Sequence, residues 1–177
     1  RFVAVRPKRA GNIIKAEVAY EIRRYVPLVP SFVVKDGLLF LLTDSGIMTC
    51  VDAPTGEMHW RERIGGESYS SPVWVDQRLY CVSKEGEVVV IAAEKTWKPP
   101  ARIPLGERCF AVPAVSGGVM YFRTRSQLFS LGGKGVSELS RRRPVRYSWS
   151  SFKAYRTRPH PWQQNSLHDI SSAVSSF

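Results

Sequence analysis

The three cysteines are the most reactive side chains in this sequence, and their spacing argues against a shared reactive site. Cys50, Cys81 and Cys109 are far apart in the chain, so no C-x-x-C metal or redox motif is present. An odd number excludes a complete disulfide framework, although one disulfide with a free thiol stays open in an oxidising compartment. Isolated cysteines commonly pack as small apolar side chains, and we predict that role here.

The histidines form no recognisable metal or catalytic cluster. His59 adjoins Trp60 in an apolar segment, so the two side chains should point to opposite faces of a strand. His160 and His168 lie close together near the C-terminal end, but no third zinc ligand follows at a defined spacing. The sequence also lacks a G-x-S-x-G motif and a phosphate-binding loop. We therefore predict no catalytic residue, no metal and no cofactor.

Apolar and turn residues recur at a period of about 40 residues, which indicates an internal repeat. The segment Phe32–Phe40 aligns with Pro72–Tyr80 and with Pro113–Tyr121. In each copy, one short apolar stretch precedes a turn dipeptide and a second one follows it. Asp36-Gly37 in the first copy favours a tight hairpin because glycine accepts positive φ, whereas Asp76-Gln77 in the second copy predicts a weaker turn.

A second turn repeats in the same way and leads into a third apolar stretch. Thr43-Asp-Ser-Gly46 matches Ser83-Lys-Glu-Gly86, while the third copy, Thr124–Gln127, keeps the pattern but lacks the glycine. A Pro-Thr-Gly56 turn then precedes a short segment that ends in Trp60. Four short strands in about 40 residues, stacked on copies of themselves, are typical of a β-propeller blade.

We therefore predict an all-β fold: a partial β-propeller of four-stranded antiparallel blades, about three blades' worth, with a disordered basic tail. A β-sandwich of about seven to nine strands is the alternative, but it does not explain the fixed spacing of the aromatic residues and turn glycines. The predicted units are a partial blade (1–26), two blades (27–66 and 67–106), a partial blade (107–133) and the tail (134–177). Closed propellers have about 4–8 blades, so we expect the C-terminal part of a larger propeller.

The net charge of +11 is concentrated in the predicted tail. Residues 134–177 contain 8 basic and 2 acidic residues, against 18 and 13 in residues 1–133. Arginines and aromatic residues alternate there, as in proteins that bind single-stranded nucleic acid. Its serine-rich, aperiodic composition instead favours a solvated, disordered tail, or sequence read through past a frameshift. Nucleic-acid binding is thus the minor alternative, and the short apolar runs predict no transmembrane segment.

Several repeat residues resemble the pyrroloquinoline-quinone-type (PQQ-like) β-propeller repeat over about residues 1–133. They are Ser71-Pro-Val, Leu79-Tyr80, Gly86-Glu-Val and, above all, Val51-Asp-Ala-x-Thr-Gly-Glu-x-x-Trp60. Many proteins with this repeat bind no quinone and are extracytoplasmic bacterial scaffolds, such as the propeller lipoprotein of the outer-membrane assembly machinery. The resemblance implies a non-catalytic scaffold or protein-interaction module, periplasmic or otherwise extracytoplasmic, whose partners are other proteins or the missing blades.

Two sets of residues follow from the repeat. Residues that keep it are expected to be structural: Trp60, Gly56, Gly46, Gly86, Tyr80 and Tyr121. Residues that break it are candidates for contacts with a partner: Arg78, Arg108, Phe110, Arg123 and Arg125. Because Arg123 and Arg125 alternate with Thr124, we expect them to share one face of a sheet.

The alternative that the resemblance permits is the C-terminal piece of a PQQ-dependent quinoprotein dehydrogenase whose catalytic blades lie upstream. Such an enzyme needs a catalytic Asp, a calcium site of oxygen ligands, a Trp platform and often a Cys-Cys disulfide. No Cys-Cys pair occurs in this sequence. Asp44 aligns with Lys84 in the next copy, which favours a turn role for Asp44, and Trp60 occupies a position that packs between blades in the family.

Overall fold

The computed structural model describes residues 1–132, which form thirteen β-strands and no helix. The strands are β1 (Phe2–Ala10), β2 (Ile13–Ile22), β3 (Val33–Lys35), β4 (Leu38–Leu42), β5 (Ile47–Asp52), β6 (Met58–Arg63), β7 (Val73–Val75), β8 (Arg78–Val82), β9 (Glu87–Ala92), β10 (Ala101–Pro104), β11 (Ala114–Ser116), β12 (Val119–Arg123) and β13 (Leu128–Gly132). The predicted tail, residues 134–177, lies outside the described residues.

The strands form four antiparallel sheets, and within each sheet the strands pair in the order in which they follow one another in the chain. The first blade is the β1–β2 pair, the second is β3–β6, the third is β7–β10 and the fourth is β11–β13. These meanders confirm the predicted all-β partial propeller of four-stranded antiparallel blades. No helix in the described part of the chain is long and apolar enough to span a bilayer.

The first two strands of each repeat are joined by the same tight turn. Both central residues have positive φ: Asp36 (50°) and Gly37 (76°) in the second blade, and Asp76 (48°) and Gln77 (60°) in the third. This is the geometry of a type I′ hairpin turn, which matches the twist of the strands that it joins. The third blade therefore adopts the turn even though Gln77 lacks the conformational freedom of glycine.

Alternate residues of each central strand pack against different neighbouring blades. Phe40 and Leu42 of β4 contribute to the core shared with the third blade, whereas Leu39 and Leu41 pack towards the first. All four are buried, because the sheet is covered on both faces. This double burial explains why β4 is a continuous apolar run rather than an alternating one.

The turn between the second and third strands differs in the fourth blade. In the third blade the N–H of Ser83 donates to the carbonyl of Glu87, whereas in the fourth blade Thr124 donates to Gln127, one residue closer. The hydroxyls of Ser83 and Thr124 accept N–H bonds from those same partner residues in both turns. The turn without the glycine is therefore one residue shorter, and its first hydroxyl still accepts a backbone N–H.

The strand connections divide between two ends of the blades. The inter-blade end carries the loops between blades (23–32, 64–72 and 105–113) and the turns between second and third strands (43–46, 83–86 and 124–127). The hairpin end carries the other connections (11–12, 36–37, 53–57, 76–77, 93–100 and 117–118). Hydrogen bonds link connections within each end, such as Ser68 N–H to the Asp44 carbonyl (2.9 Å) and Ala53 N–H to the Gly37 carbonyl (2.8 Å).

Candidate interaction surface

One position of the repeat carries an exposed large apolar side chain in all three inter-blade loops. Val29, Tyr69 and Phe110 occupy this position in successive loops, and their exposed fractions are 58%, 40% and 53%. The core does not account for these residues, because their side chains point away from the sheets into solvent. Large apolar groups exposed at equivalent positions are typical of a surface that contacts another molecule.

Backbone hydrogen bonds anchor these loops to the neighbouring turns. The carboxylate of Asp44 accepts the N–H groups of Leu28 (2.8 Å) and Val29 (3.0 Å). In the third blade, the N–H of Lys84 donates to the carbonyl of Glu67 at 2.7 Å. The exposed side chains are therefore presented by loops that are already held in place, which reduces the entropy lost on binding.

Aromatic and cationic side chains lie together where the loops before and after the third blade meet. The rings of Tyr69 and Phe110 stack with their centroids 6.3 Å apart and their planes inclined by 24°. The Nζ of Lys84 lies 5.9 Å from the Tyr69 ring centroid and 2.7 Å from the carboxylate of Glu67. The hydrogen bond to Glu67 raises the pKa of Lys84, and the nearby Arg108 acts in the opposite direction. We call Tyr69, Phe110, Lys84 and Arg108 the aromatic–cationic patch.

The structure places four of the five predicted contact residues at the inter-blade end: Arg108, Phe110, Arg123 and Arg125. Strand β12 ends at Arg123, so Arg125 lies in the following turn and does not share a strand with it. Both side chains are exposed while Thr124 between them is buried. Arg78 begins β8 at the hairpin end, 3.8 Å from the carboxylate of Asp76, and is not brought to the other four.

The residue at the Trp60 position joins the first blade to the second and the second blade to the third. The indole N–H of Trp60 donates to the carbonyl of Glu94 in the third blade at 3.0 Å, and its ring lies 5.0 Å from that of Trp97. Tyr20, at the equivalent position of the first blade, repeats this contact through its hydroxyl, which donates to the carbonyl of Ala53 at 2.8 Å. Burial and the nearby charge of Asp52 raise the pKa of Tyr20, so this donor keeps its proton.

The other residues expected to be structural lie at close contacts or within the core. Tyr80 is buried between the third and fourth blades, and Tyr121 is half-buried in the fourth. Gly46 and Gly86 have φ of 79° and 87° and approach the backbone of the next inter-blade loop. A Cβ on Gly56 would lie 2.5 Å from the ring of Tyr20, so this turn packs against the first blade.

Tyr69 and Lys84 belong to the patch but are not among the contact residues predicted from the sequence. Tyr69 lies one repeat before Phe110 and one repeat after Val29, so the repeat spacing contained the information needed to find it. Phe110 was predicted because it breaks the repeat, whereas Tyr69 at the same position was not. The exposure of this position could not be predicted, because it depends on how the loop is anchored.

All three cysteines are buried, as the sequence predicts, and the structure resolves the open question of a disulfide, because all three thiols are free. Burial raises the pKa of Cys50 to about 12 and also raises the pKa values of Cys81 and Cys109. A thiol that stays protonated is a poor nucleophile. These side chains are therefore part of the core and carry no reactive function in the fold.

We expect no cysteine of the folded protein to react with a thiol reagent such as DTNB at pH 8, and all three to react in denaturant. Above pH 9 the unfolded thiols ionise while the folded ones stay protonated, so stability should fall as the pH rises from about 9 towards 12. Titration of the native and denatured chain checks both points. One thiol that reacts rapidly in the native protein would contradict this assignment.

The described residues do not fit a calcium–quinone site. Within residues 1–132, no group of three or more His, Cys, Asp or Glu side chains converges. Both carboxylate oxygens of Asp44 accept backbone N–H groups in an inter-blade loop, which is a structural role. Trp60 is buried between two blades against Trp97, so its ring offers no free face to a planar cofactor.

Comparisons with known proteins agree with the repeat and the fold. The family model described as outer membrane protein assembly factor BamB matches residues 23–141. No curated protein matches the sequence. Similar solved structures are BamB from Moraxella catarrhalis (TM-score 0.54, 12% identity, 72% of this chain and 45% of that one) and a europium-containing methanol dehydrogenase (TM-score 0.51, 11% identity, 66% and 34%). The chain thus spans less than half of either protein, and these identities show the fold alone.

Proposed function

Since this chain belongs to the family of the outer membrane protein assembly factor BamB, we propose that it is part of a non-catalytic β-propeller scaffold that binds other proteins through its inter-blade end. The parent protein would contain further blades, because the described residues include two incomplete blades and cover 45% of the BamB structure. The proposed compartment is periplasmic or otherwise extracytoplasmic, in line with a family named for outer-membrane assembly.

The aromatic–cationic patch is the observation that carries this proposal. Tyr, Phe and Arg are enriched where protein interfaces derive most of their binding free energy. Tyr69 and Phe110 offer two stacked, exposed rings, and Arg108 and Arg125 form no ion pair within residues 1–132. A partner could cover the rings with apolar side chains and meet the arginines with carboxylates.

The scaffold role is also supported by the chemistry of the buried side chains. The cysteines are protonated core residues, and the carboxylate of Asp44 is occupied by backbone donors. A quinoprotein dehydrogenase would therefore have to carry its catalytic residues on blades outside residues 1–132. The likeness to a methanol dehydrogenase concerns the fold and does not favour that alternative.

Photo-crosslinking in the parent protein tests the interaction surface. We expect a photoreactive phenylalanine analogue at position 110 to form adducts with a partner protein in the source cells. The matched control is position 58, because Met58 is equally exposed (52%) but lies at the hairpin end. Adducts at neither position, or equally at both, would contradict the proposed surface.

The effect of a substitution on the affinity of the protein for the crosslinked partner can be predicted quantitatively. Phe110→Ala should weaken binding by about 30-fold, the loss of roughly 2 kcal/mol that is typical of a hot spot. Met58→Ala should change the affinity less than twofold. Isothermal titration calorimetry with the purified partner measures both, and equal effects of the two substitutions would argue against a localised interface.

A further inference from the structure

The β1–β2 pair extends far beyond the corresponding strands of the next blade. Val5 pairs with Val18 in the first blade, and Val51 pairs with Met58 at the equivalent place in the second blade. Both pairs come directly after a register shift. Between these paired residues the first blade has twelve residues (6–17) and the second has six (52–57). Residues 6–17 form a two-stranded ribbon, with its turn at Gly11, that projects from the hairpin end. We call it the basic ribbon.

The basic ribbon is cationic and largely without compensating charge. It contains Arg6, Lys8, Arg9 and Lys15 but a single acidic residue, Glu17. Lys8 forms an ion pair with Glu17, whereas Arg6, Arg9 and Lys15 form none within the described part of the chain. Lys8 also lies directly opposite Lys15, an arrangement that is destabilising unless an external anion is near.

The pairing register gives the ribbon two unlike faces. Residues directly opposite each other share a face, so Arg6, Lys8 and Lys15 lie on one side together with Glu17, which is opposite Arg6. The other side carries Ile14 opposite Arg9 near the turn, and Ile14 is 72% exposed. Ile14 lies near the tip of this cationic projection, and none of the blades within residues 1–132 covers it.

The geometry points to an anionic phospholipid bilayer as the surface that the basic ribbon contacts. The side chains of residues 6–9 and 14–17 are exposed. Pro7 lacks an N–H and lies between cations, so the β1 edge is protected against pairing with a partner strand. Phosphate headgroups supply the dense anions that Arg6, Arg9 and Lys15 lack, and Ile14 can enter the boundary between headgroups and acyl chains.

Vesicle binding by the full chain of 177 residues tests this inference. We expect binding to vesicles of equal phosphatidylglycerol and phosphatidylcholine and little binding to phosphatidylcholine alone. The triple substitution Arg6→Gln, Arg9→Gln, Lys15→Gln should reduce partitioning roughly 100-fold, because each cation near an anionic bilayer contributes about fivefold. The charge-matched control replaces Arg23, Arg24 and Arg63 by Gln; these residues are exposed at the inter-blade end, lie outside the proposed partner surface, and should leave most of the binding intact.

A second variant removes the ribbon without removing the fold. Residues 6–17 are replaced by the sequence of 52–57, the shorter connection that the second blade already uses between equivalent strands. This variant should keep the circular dichroism spectrum of the parent chain and lose vesicle binding. Retained binding in either ribbon variant, or an equal loss in the control triple, would overturn the inference. So would binding to an acidic protein or to DNA that exceeds binding to the anionic vesicles.

The contact point can be located with a single label, because the native cysteines are buried. An environment-sensitive dye on Ile14→Cys should shift to shorter wavelength when anionic vesicles are added. The same dye on Pro54→Cys, in the shorter connection of the second blade, should not shift. An equal response at both positions would place the membrane contact elsewhere. This inference is independent of the partner surface at the inter-blade end, so either can fail alone.

Discussion

Replacing Gly86 by alanine is expected to lower the free energy of unfolding by roughly 2–5 kcal/mol, the sum of two effects. Gly86 has φ of 87°, which costs an L-residue about 1–2 kcal/mol. A Cβ there would also overlap the carbonyl oxygen of Glu107 in the next inter-blade loop, and relieving such overpacking typically costs about 1–3 kcal/mol. Chemical denaturation of the full chain, followed by circular dichroism, measures the change.

Gly106→Ala is the matched control for this substitution. Gly106 has nearly the same φ, 82°, but a Cβ there would meet no atom within 4 Å. Its loss should therefore be limited to the conformational cost of about 1–2 kcal/mol. Gly46→Ala, whose Cβ would overlap the carbonyls of Gly65 and Gly66, should behave like Gly86→Ala. Equal losses for Gly86 and Gly106 would mean that blades and loops are not packed as closely as described.

Trp60→Ala should destabilise the protein by about 3–5 kcal/mol, the usual cost of deleting a buried Trp side chain. Trp60 is 7% exposed and fills the space between the second and third blades beside Trp97. Trp60→Phe keeps most of this packing but removes the N–H that donates to the Glu94 carbonyl, so it should cost clearly less. Denaturation monitored by circular dichroism separates the two, because fluorescence would change with the loss of a Trp.

Tyr20→Phe provides an internal comparison for the Trp60 hydrogen bond. It removes only the hydroxyl that donates to Ala53, at the equivalent junction between the first and second blades. A loss of about 1 kcal/mol is expected for one half-buried hydrogen bond. If Tyr20→Phe and Trp60→Ala cost the same, the Trp60 side chain would not be the packing element that the structure assigns to it.

Burial on both faces explains which parts of the fold could be predicted from the sequence. The apolar stretches around Phe40 and Tyr80 and the glycines at 46 and 86 repeat because each blade must form the same sheet and make the same close contact with its neighbour. The repeat also aligns Tyr20 with Trp60, but it does not predict the hydroxyl bond from Tyr20 to Ala53. That bond requires the next blade to be stacked at a particular distance, which no local pattern specifies.

The candidate contact residues show the limit of the same reasoning. Arg78 and Arg108 both break the repeat, yet they lie at opposite ends of the blades. Which end of the blades a residue occupies depends on which connection of the meander it lies in or beside. The partner of Phe110 in the aromatic stack, Tyr69, comes from the preceding inter-blade loop, and only the stacking of consecutive blades brings the two rings together.

The all-β class, the four-stranded repeat and the burial of the three cysteines could be predicted from the amino-acid sequence. Those features follow from local preferences: apolar residues that form strands, dipeptides that accept positive φ, and a period that each blade must keep. The exposed patch of Tyr69, Phe110, Lys84 and Arg108, and the projection of residues 6–17 as a basic ribbon, could be seen only in the folded chain. Both depend on how separate blades pack and where that packing stops, and these are properties of contacts between segments far apart in the chain.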